Sequence, residues 1–566
     1  MKKSFFFVLA CVVGMTSCNL DFFPSDEVNS GFLTESYEGL CTMTDGVYSM
    51  FKDAMEYKGT SSTSYTFCRR AMEMAEFTSD NQIISGRTTS TIFNAYTYEN
   101  TDNLQNVSYV WWCCYKVIFS ANMVIEAIPD NASANLQALK GECLFLRAFA
   151  HLWLCNLYAR PYALGRDNVG VVIRTSTNTD VTTRATVGEC YDQIVQDLNN
   201  AIELMGLVPR RGFNNGYASK EAAQGLLSRV YLQMERNEDC VAIIDDMLAG
   251  AEPASKLSSN GLQNFYANTL TDPEALWCIA YTTIDGGELG QSLLAGMYLN
   301  DPVSGLGWGE AYASDVLIDL YERYPEDKRY TELIHPQFLD NGKYQARYPL
   351  VGVDNREHRD CFVAEATLNS DGSYTFKDAD ENTVIANQEQ VNTYPLWFAT
   401  IKGQKMQVHI HPSMTLRNTF PKYYVSKFSY QDGQAMLASP AMIRWGELIL
   451  NRAEAYAKLG QNEKALADVN TIRVRAGIPS NGMFTTANMQ ERGYATVLDV
   501  VLAERQLELA FEGFRTLDVY RNKRSLDRFF PGLHSWESIS YEDNRIVFPI
   551  PYDEICVSNI KQNPGY

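Results

Sequence analysis

Histidine is nearly absent from this chain of 566 residues: there are six, and only His409 and His411 stand close enough to share one face of a strand. Two histidines alone fall short of a metal centre, so no metal is expected there. None of the 13 cysteines shows C-x-x-C spacing, which removes the usual zinc and dithiol motifs. G-x-S-x-G, H-E-x-x-H and Walker A sequences are also missing. No cofactor is expected and no catalytic residue stands out. Basic residues are in deficit, 48 against 68 acidic, for a net charge of −20. That excludes nucleic acid as a partner and an anionic bilayer gripped by basic residues. Beyond the N-terminus no apolar run approaches the roughly 18 residues that cross a membrane.

What is present begins at the N-terminus. Lys2 and Lys3 precede an apolar stretch, Phe5 to Val13, too short for a stable span. Met15-Thr16-Ser17-Cys18 then places small residues before a cysteine, as in a bacterial lipobox. Residues 1–17 are read as a lipoprotein signal peptide, Cys18 as the acylated residue and 18–34 as the tether. Membrane attachment is expected through that anchor only. Eleven cysteines remain, an odd number. Cys113, Cys114, Cys143 and Cys155 lie in apolar helical patterns, where free thiols act as small core residues.

The stretch Met442–Gly477 reads as two helices joined at a tight turn. Ala453, Tyr456, Gly460, Ala465 and Val469 are spaced three, four, five and four apart. The same steps recur at Ser228, Tyr231, Glu235, Cys240 and Ile244, the mark of a tetratricopeptide-like hairpin. Such a unit needs neighbours stacked upon it. Further helices are expected near 35–53, 105–128, 133–159, 187–205, 218–235, 237–249, 314–323 and 495–511. A strand is expected at 275–283. Residues 57–103 read as a polar loop region, and 260–440 as a large irregular insertion, not a separate compact domain.

Several motifs resemble the SusD/RagB family of outer-membrane nutrient-binding lipoproteins. They are Glu142-x-x-Phe145-Leu146-Arg147-Ala148, the run Glu504-Arg505-x-x-Glu508-Leu509-x-x-Glu512-Gly513-x-Arg515-x-x-Asp518-x-x-Arg521, Pro549-Ile550-Pro551-x-x-Glu554-Ile555, and Gln562-Asn563-Pro564-Gly565-Tyr566 at the end. The resemblance implies a mainly α fold, with tetratricopeptide-like helical hairpins packed against a large irregular region carrying a few short strands. It divides the chain into an N-terminal helical region at 35–259, a loop-rich ligand-binding insertion at 260–440 and a C-terminal region at 441–566. It also implies a lid that passes glycan, or peptide as the alternative cargo, to a SusC-like TonB-dependent transporter in the outer membrane, without catalysis. A tetratricopeptide scaffold for protein partners is the remaining reading. The charges of the long motif are expected to form core ion pairs.

The aromatic content, 33 Tyr, 27 Phe and 8 Trp, supplies the candidate site. A sugar's C–H face stacks on a flat ring, burying much area at small entropic cost. Trp308, flanked by glycines in GLGWGEAY, leads, with Tyr298 and Tyr312 near it. Asn81, Arg87, Phe93, Tyr96 and Tyr98 form a second polar–aromatic cluster, and Trp397 is a third candidate. Trp111, Trp112, Trp153, Trp277 and Trp445 read as core. Asp378, Asp380, Asn382 and Glu389 match positions one, three, five and twelve of a calcium loop. Thr383 stands where its glycine belongs, so a solvated acidic loop is expected instead.

Overall fold

The computed structural model describes residues 34, 36–60, 62–350 and 361–566. The expected leader, Cys18 and the tether up to residue 33 lie outside the described residues.

Helices α1 (Tyr37–Lys52), α2 (Phe67–Phe77), α3 (Gln105–Ala127), α4 (Ala134–Tyr158), α5 (Val187–Met205), α6 (Lys220–Gln233) and α7 (Asn237–Leu248) build the first part of the body. From α3 to α7 each helix packs on the next. Local chemistry sets their ends: Thr186 and Glu189 close a capping box at the start of α5, satisfying donors the helix itself cannot. The hairpin α6–α7 packs directly on α9 (Trp445–Lys458). The helical stack therefore resumes across nearly two hundred intervening residues. Helix α9 turns into α10 (Asn462–Arg475) at Gly460, with φ +73°. Glu235 takes the same left-handed turn in the earlier hairpin, with φ +59°, where a side chain costs about 1 kcal/mol. Ser228, Cys240 and Ile244, like Ala453, Ala465 and Val469, are fully buried, as the shared spacing predicts.

The C-terminal motif runs through α11 (Val497–Glu508) and α12 (Arg515–Arg521). The chain leaves α11 through Phe511 and Gly513, both at positive φ, which is the break expected at 513. The motif's charges are core ion pairs. Arg444 donates to Glu508 at 2.7 Å, Glu274 at 3.1 Å and Glu512 at 2.8 Å. Arg329 and Arg473 share Glu504, and Arg505 pairs with Asp518 at 2.7 Å. Arg475 and Arg444 hold the buried Glu508 carboxyl far below its ordinary range, overcoming the desolvation that alone would raise it.

One expectation is corrected. Residues 57–103 are not a polar loop region, because α2 runs through their middle with every residue buried. Its charges mask the apolar period: Arg69 pairs with Glu73 at 2.6 Å, and Glu76 accepts from Asn81 and the Gly513 amide. The insertion carries the short strands expected of it and adds a curled sheet. Strands β2 (Ala275–Cys278) and β11 (Ala441–Arg444) pair antiparallel at its neck. Within it, β4 (Tyr344–Pro349), β5 (Cys361–Leu368), β6 (Tyr374–Lys377), β7 (Thr383–Val391) and β8 (Tyr394–Ile401) form an antiparallel meander. The segment holding β9 (Gln404–Gln407) and β10 (His409–Pro412) then pairs with β8 through its first half and with β4 through its second. The sheet thus rolls up on a core of its own, with Ala346, Tyr348, Phe376, Ala386, Ile401 and Val408 inside. The molecule as a whole is mainly α.

Alternation along the closing segment sends Gln407, His409 and His411 outward. They meet α8 (Asp315–Tyr321) and the residue after it: Gln407 donates to Asp319 at 3.0 Å, and His411 Nδ1 lies 3.7 Å from Glu322. Asp315 pairs with Arg347 of β4. None of the eleven described cysteines is held in a disulfide, and burial pushes the Cys68 and Cys143 thiols up to about 12.

Candidate functional site

Strand β1 (Gln82–Ile84) pairs antiparallel with β3 (Ala311–Ala313). This short ladder joins the two clusters singled out in sequence, more than two hundred residues apart. It carries the loop 85–91 to the loop 299–310, where Trp308 sits.

Backbone geometry presents Trp308. Gly307 has φ +94°, and a Cβ there would lie 2.0 Å from the Leu299 carbonyl oxygen, so only glycine fits. The Trp308 amide donates to the Gly296 carbonyl at 2.7 Å. Behind the half-buried indole lies Arg69, its guanidinium carbon 4.7 Å from the ring centroid. Arg69 is in turn fixed by Glu73 and by the Ser292 carbonyl at 3.1 Å. The ring therefore rests on a guanidinium that cannot swing away, a cation–π contact in a partly desolvated place. Around it, Arg417 donates to Glu310 at 2.7 Å and to the Trp308 carbonyl. Asn418 donates to the Ser85 carbonyl, and its amide nitrogen lies against Gly86. Val303 is 93% exposed and Leu306 43%, and Asp301 caps their turn through Ser304. Trp308 thus sits half-buried against the core, in a loop that also carries polar groups and two exposed aliphatic side chains.

The other candidates divide. Arg87 is exposed and Phe93 half-buried beside Tyr96. Tyr298 and Tyr312 are corrected to core positions. Tyr298 packs among Phe77, Phe428 and Phe511, and Tyr312 lies on β3 against Tyr424, where burial pushes its phenol up to about 12. Tyr96 and Tyr98 are likewise buried, their hydroxyls bonded to His534 and to the Thr78 carbonyl and Tyr520. Asn81 is buried between Glu76 and Gln506. These five offer no face to solvent because the helices Ile92–Thr97 and Ala295–Tyr298 and the β1–β3 ladder turn them inward. Trp397 belongs elsewhere: it stands edge-on to Tyr374 at 5.1 Å in the roll. Sequence reasoning missed Arg69, Glu310, Arg417 and Asn418. Arg69 was hidden by reading α2 as loop, and the others carry no local signal.

The paired histidines and the calcium-like spacing converge on no centre. Asp378 caps its own turn, accepting from the amides of Asp380 and Asn382, while Glu389 pairs with Lys405 at 2.6 Å. Among the described residues no three His, Cys, Asp or Glu side chains are grouped to hold an ion. No helix of the described residues is long and apolar enough to cross a membrane.

Comparison with known proteins agrees with this architecture along most of the chain. A family model described as "Starch-binding associating with outer membrane" matches residues 44–232, and the SusD family model matches residues 273–566. SusD-like protein P2 of Formosa agariphila is 23% identical over 478 residues, covering 81% of each chain. A SusD superfamily protein of Bacteroides thetaiotaomicron has the same fold, with a TM-score of 0.67 at 22% identity over 93% of this chain and 99% of that one. A laminarin-binding SusD-like protein superposes with a TM-score of 0.60 at 20% identity, covering 94% and 99%.

Proposed function

The chain belongs to the SusD family, and from that premise we propose that it is a cell-surface lipoprotein, anchored in the outer membrane through Cys18, that captures a glycan and hands it to a SusC-like transporter. The observation that carries this reading is Trp308. Its indole is set on a glycine-bounded loop, backed by a fixed Arg69, with Arg417, Glu310 and Asn418 in the neighbouring turns. Such a platform stacks on a pyranose while its neighbours hydrogen-bond the hydroxyls. Nothing in the arrangement supplies a nucleophile or a paired acid and base, so the proposed role is binding without cleavage.

The test is native affinity electrophoresis of the full-length chain in detergent, through gels holding a panel of polysaccharides. Retardation in at least one gel is expected, with Trp308→Ala weakening it by roughly tenfold and no new reducing ends released. Retardation in none would sink the glycan reading and favour peptide cargo.

A further inference from the structure

The face of α3 opposite the body carries a groove that the Trp308 site does not use. Trp112, Tyr115 and Phe119 stand at steps of three and four on α3, so they share one side of the helix. Trp112, expected as core, is only half-buried. Their rings floor a groove of about 670 Å³, whose opposite wall is formed by helix α13 (Tyr552–Ser558). Phe119 is 41% exposed and Val557 on that wall 87%. Past Tyr115 and Phe119 the groove continues into a second hollow of about 250 Å³ lined by Asn122, Arg174 and Thr179.

Charge distinguishes this groove from an ordinary apolar patch. Lys116 Nζ lies 4.9 Å from the centroid of Trp112, and the Arg174 guanidinium 5.6 Å from that of Tyr115. Neither cation has a carboxylate partner among the described residues, whereas Arg147, Arg229, Arg329, Arg444 and Arg521 all do. The Arg174 Nε–H is buried without an acceptor, and the side chain as a whole is only half-buried, its Nη1 donating to the Thr179 carbonyl. The acidic groups nearby are already engaged. Asp553 pairs with Lys58, and Glu554 accepts from Trp111 Nε1 at 3.2 Å and from Ser558. Around the groove Lys58, Lys116 and Arg174 stand against Asp553 and Glu554, an excess of one cation over an aromatic floor in a chain of net charge −20.

We propose that this groove is a second ligand site, separate from the Trp308 loop, and that it takes an acidic oligosaccharide segment. The rings receive the C–H faces of the sugars, and Lys116 and Arg174 receive their anionic groups. The proposal rests on the glycan-binding reading, and its test separates the two. Full-length protein in detergent is run through gels containing polygalacturonate, alginate or the neutral glucan laminarin. Retardation by an anionic probe is expected. The apparent Kd should rise at least tenfold in Lys116→Glu, an exposed substitution, and to a lesser degree in Phe119→Ala. It should also rise in roughly 0.5 M salt, which screens exposed charge, while Trp308→Ala leaves anionic binding in place. The proposal is overturned if Lys116→Glu leaves anionic binding unchanged, or if Trp308→Ala alone abolishes it. It is also overturned if Lys116→Glu spares every glycan but strips a co-purifying membrane protein, since the groove would then be a protein interface. Retardation of the wild type only by laminarin would overturn the acidic site and spare the glycan reading; retardation by nothing would end both.

Discussion

In the helical body, Arg444 lies 1% exposed among Glu274, Glu508 and Glu512. In the rolled sheet, the corresponding interior is Tyr348, Phe376, Ala386 and Ile401, with its charges turned outward onto α8. The body fixes distant segments by directional pairs that tolerate no shift, joining β11, α11 and the neck of the insertion around one guanidinium. The roll is held by alternation and close packing, which fill space without naming partners. Buried pairs of the first kind add little net stability over an apolar equivalent, but they are costly to break by halves. Packing of the second kind loses in proportion to the volume removed.

That contrast sets the expected order of damage. Arg444→Met takes the shared cation from three buried carboxylates, leaving Arg475 for Glu274 and Glu508 and Lys427 for Glu512, and should cost about 4 kcal/mol, read as a fall in the urea midpoint of the whole molecule. A loss under about 1 kcal/mol would mean that Lys427 and Arg475 suffice. Phe376→Ala should cost about 3 kcal/mol. The loss should be confined to the roll, so hydrogen exchange would quicken in β4–β10 and not in α9–α10; uniform quickening would show one cooperative unit instead.

The smallest effect is a pH dependence at the boundary between the two regions. Burial, aided by Asp319, lifts the Glu322 carboxyl to about 7. The groups facing it are Asp315, Asp319, Arg347, His411, Tyr330 and Tyr423. A raised carboxyl contributes fully below its unfolded value of about 4.3, and that contribution is lost as pH rises through about 7. His411, pushed down to about 3 by burial, acts oppositely below about 6.5. The comparison is therefore the difference between wild type and Glu322→Gln. Between pH 6 and pH 8.5 the wild type should lose stability relative to the variant, and a constant difference would contradict the assignment.

The two regions were also unequally legible. Helical hairpins announce themselves through small residues at fixed steps, so the spacing alone puts Ala453, Ala465, Ser228 and Cys240 at helix contacts. The motif from Glu504 to Arg521 could be read as ion pairs because its charges repeat around an apolar stripe. Helix α2 could not be read, since its buried Arg69, Arg70, Glu73 and Glu76 look like surface residues until their partners are known. The roll was missed because its closure depends on β4 meeting a segment far along the chain. At the candidate site, the glycines around Trp308 gave that loop away. Tyr96, Tyr98, Tyr298 and Tyr312 misled, because a tyrosine ring packs inside as a phenylalanine ring does, and Tyr96 and Tyr98 also find hydroxyl partners there.

The double duty of residues 404–412 also dictates a sequence in time. Strands β4 to β8 can zip up between immediate neighbours, each hairpin closing a short loop quickly. The pairing of His409 with Arg347 must instead wait for about sixty residues of intervening chain to be ordered, so it forms after the hairpins are in place. Substitutions there should alter how fast the roll opens far more than how fast it begins to form. The segment that completes the cylinder is thus also its latch, the last piece to arrive and the first to leave.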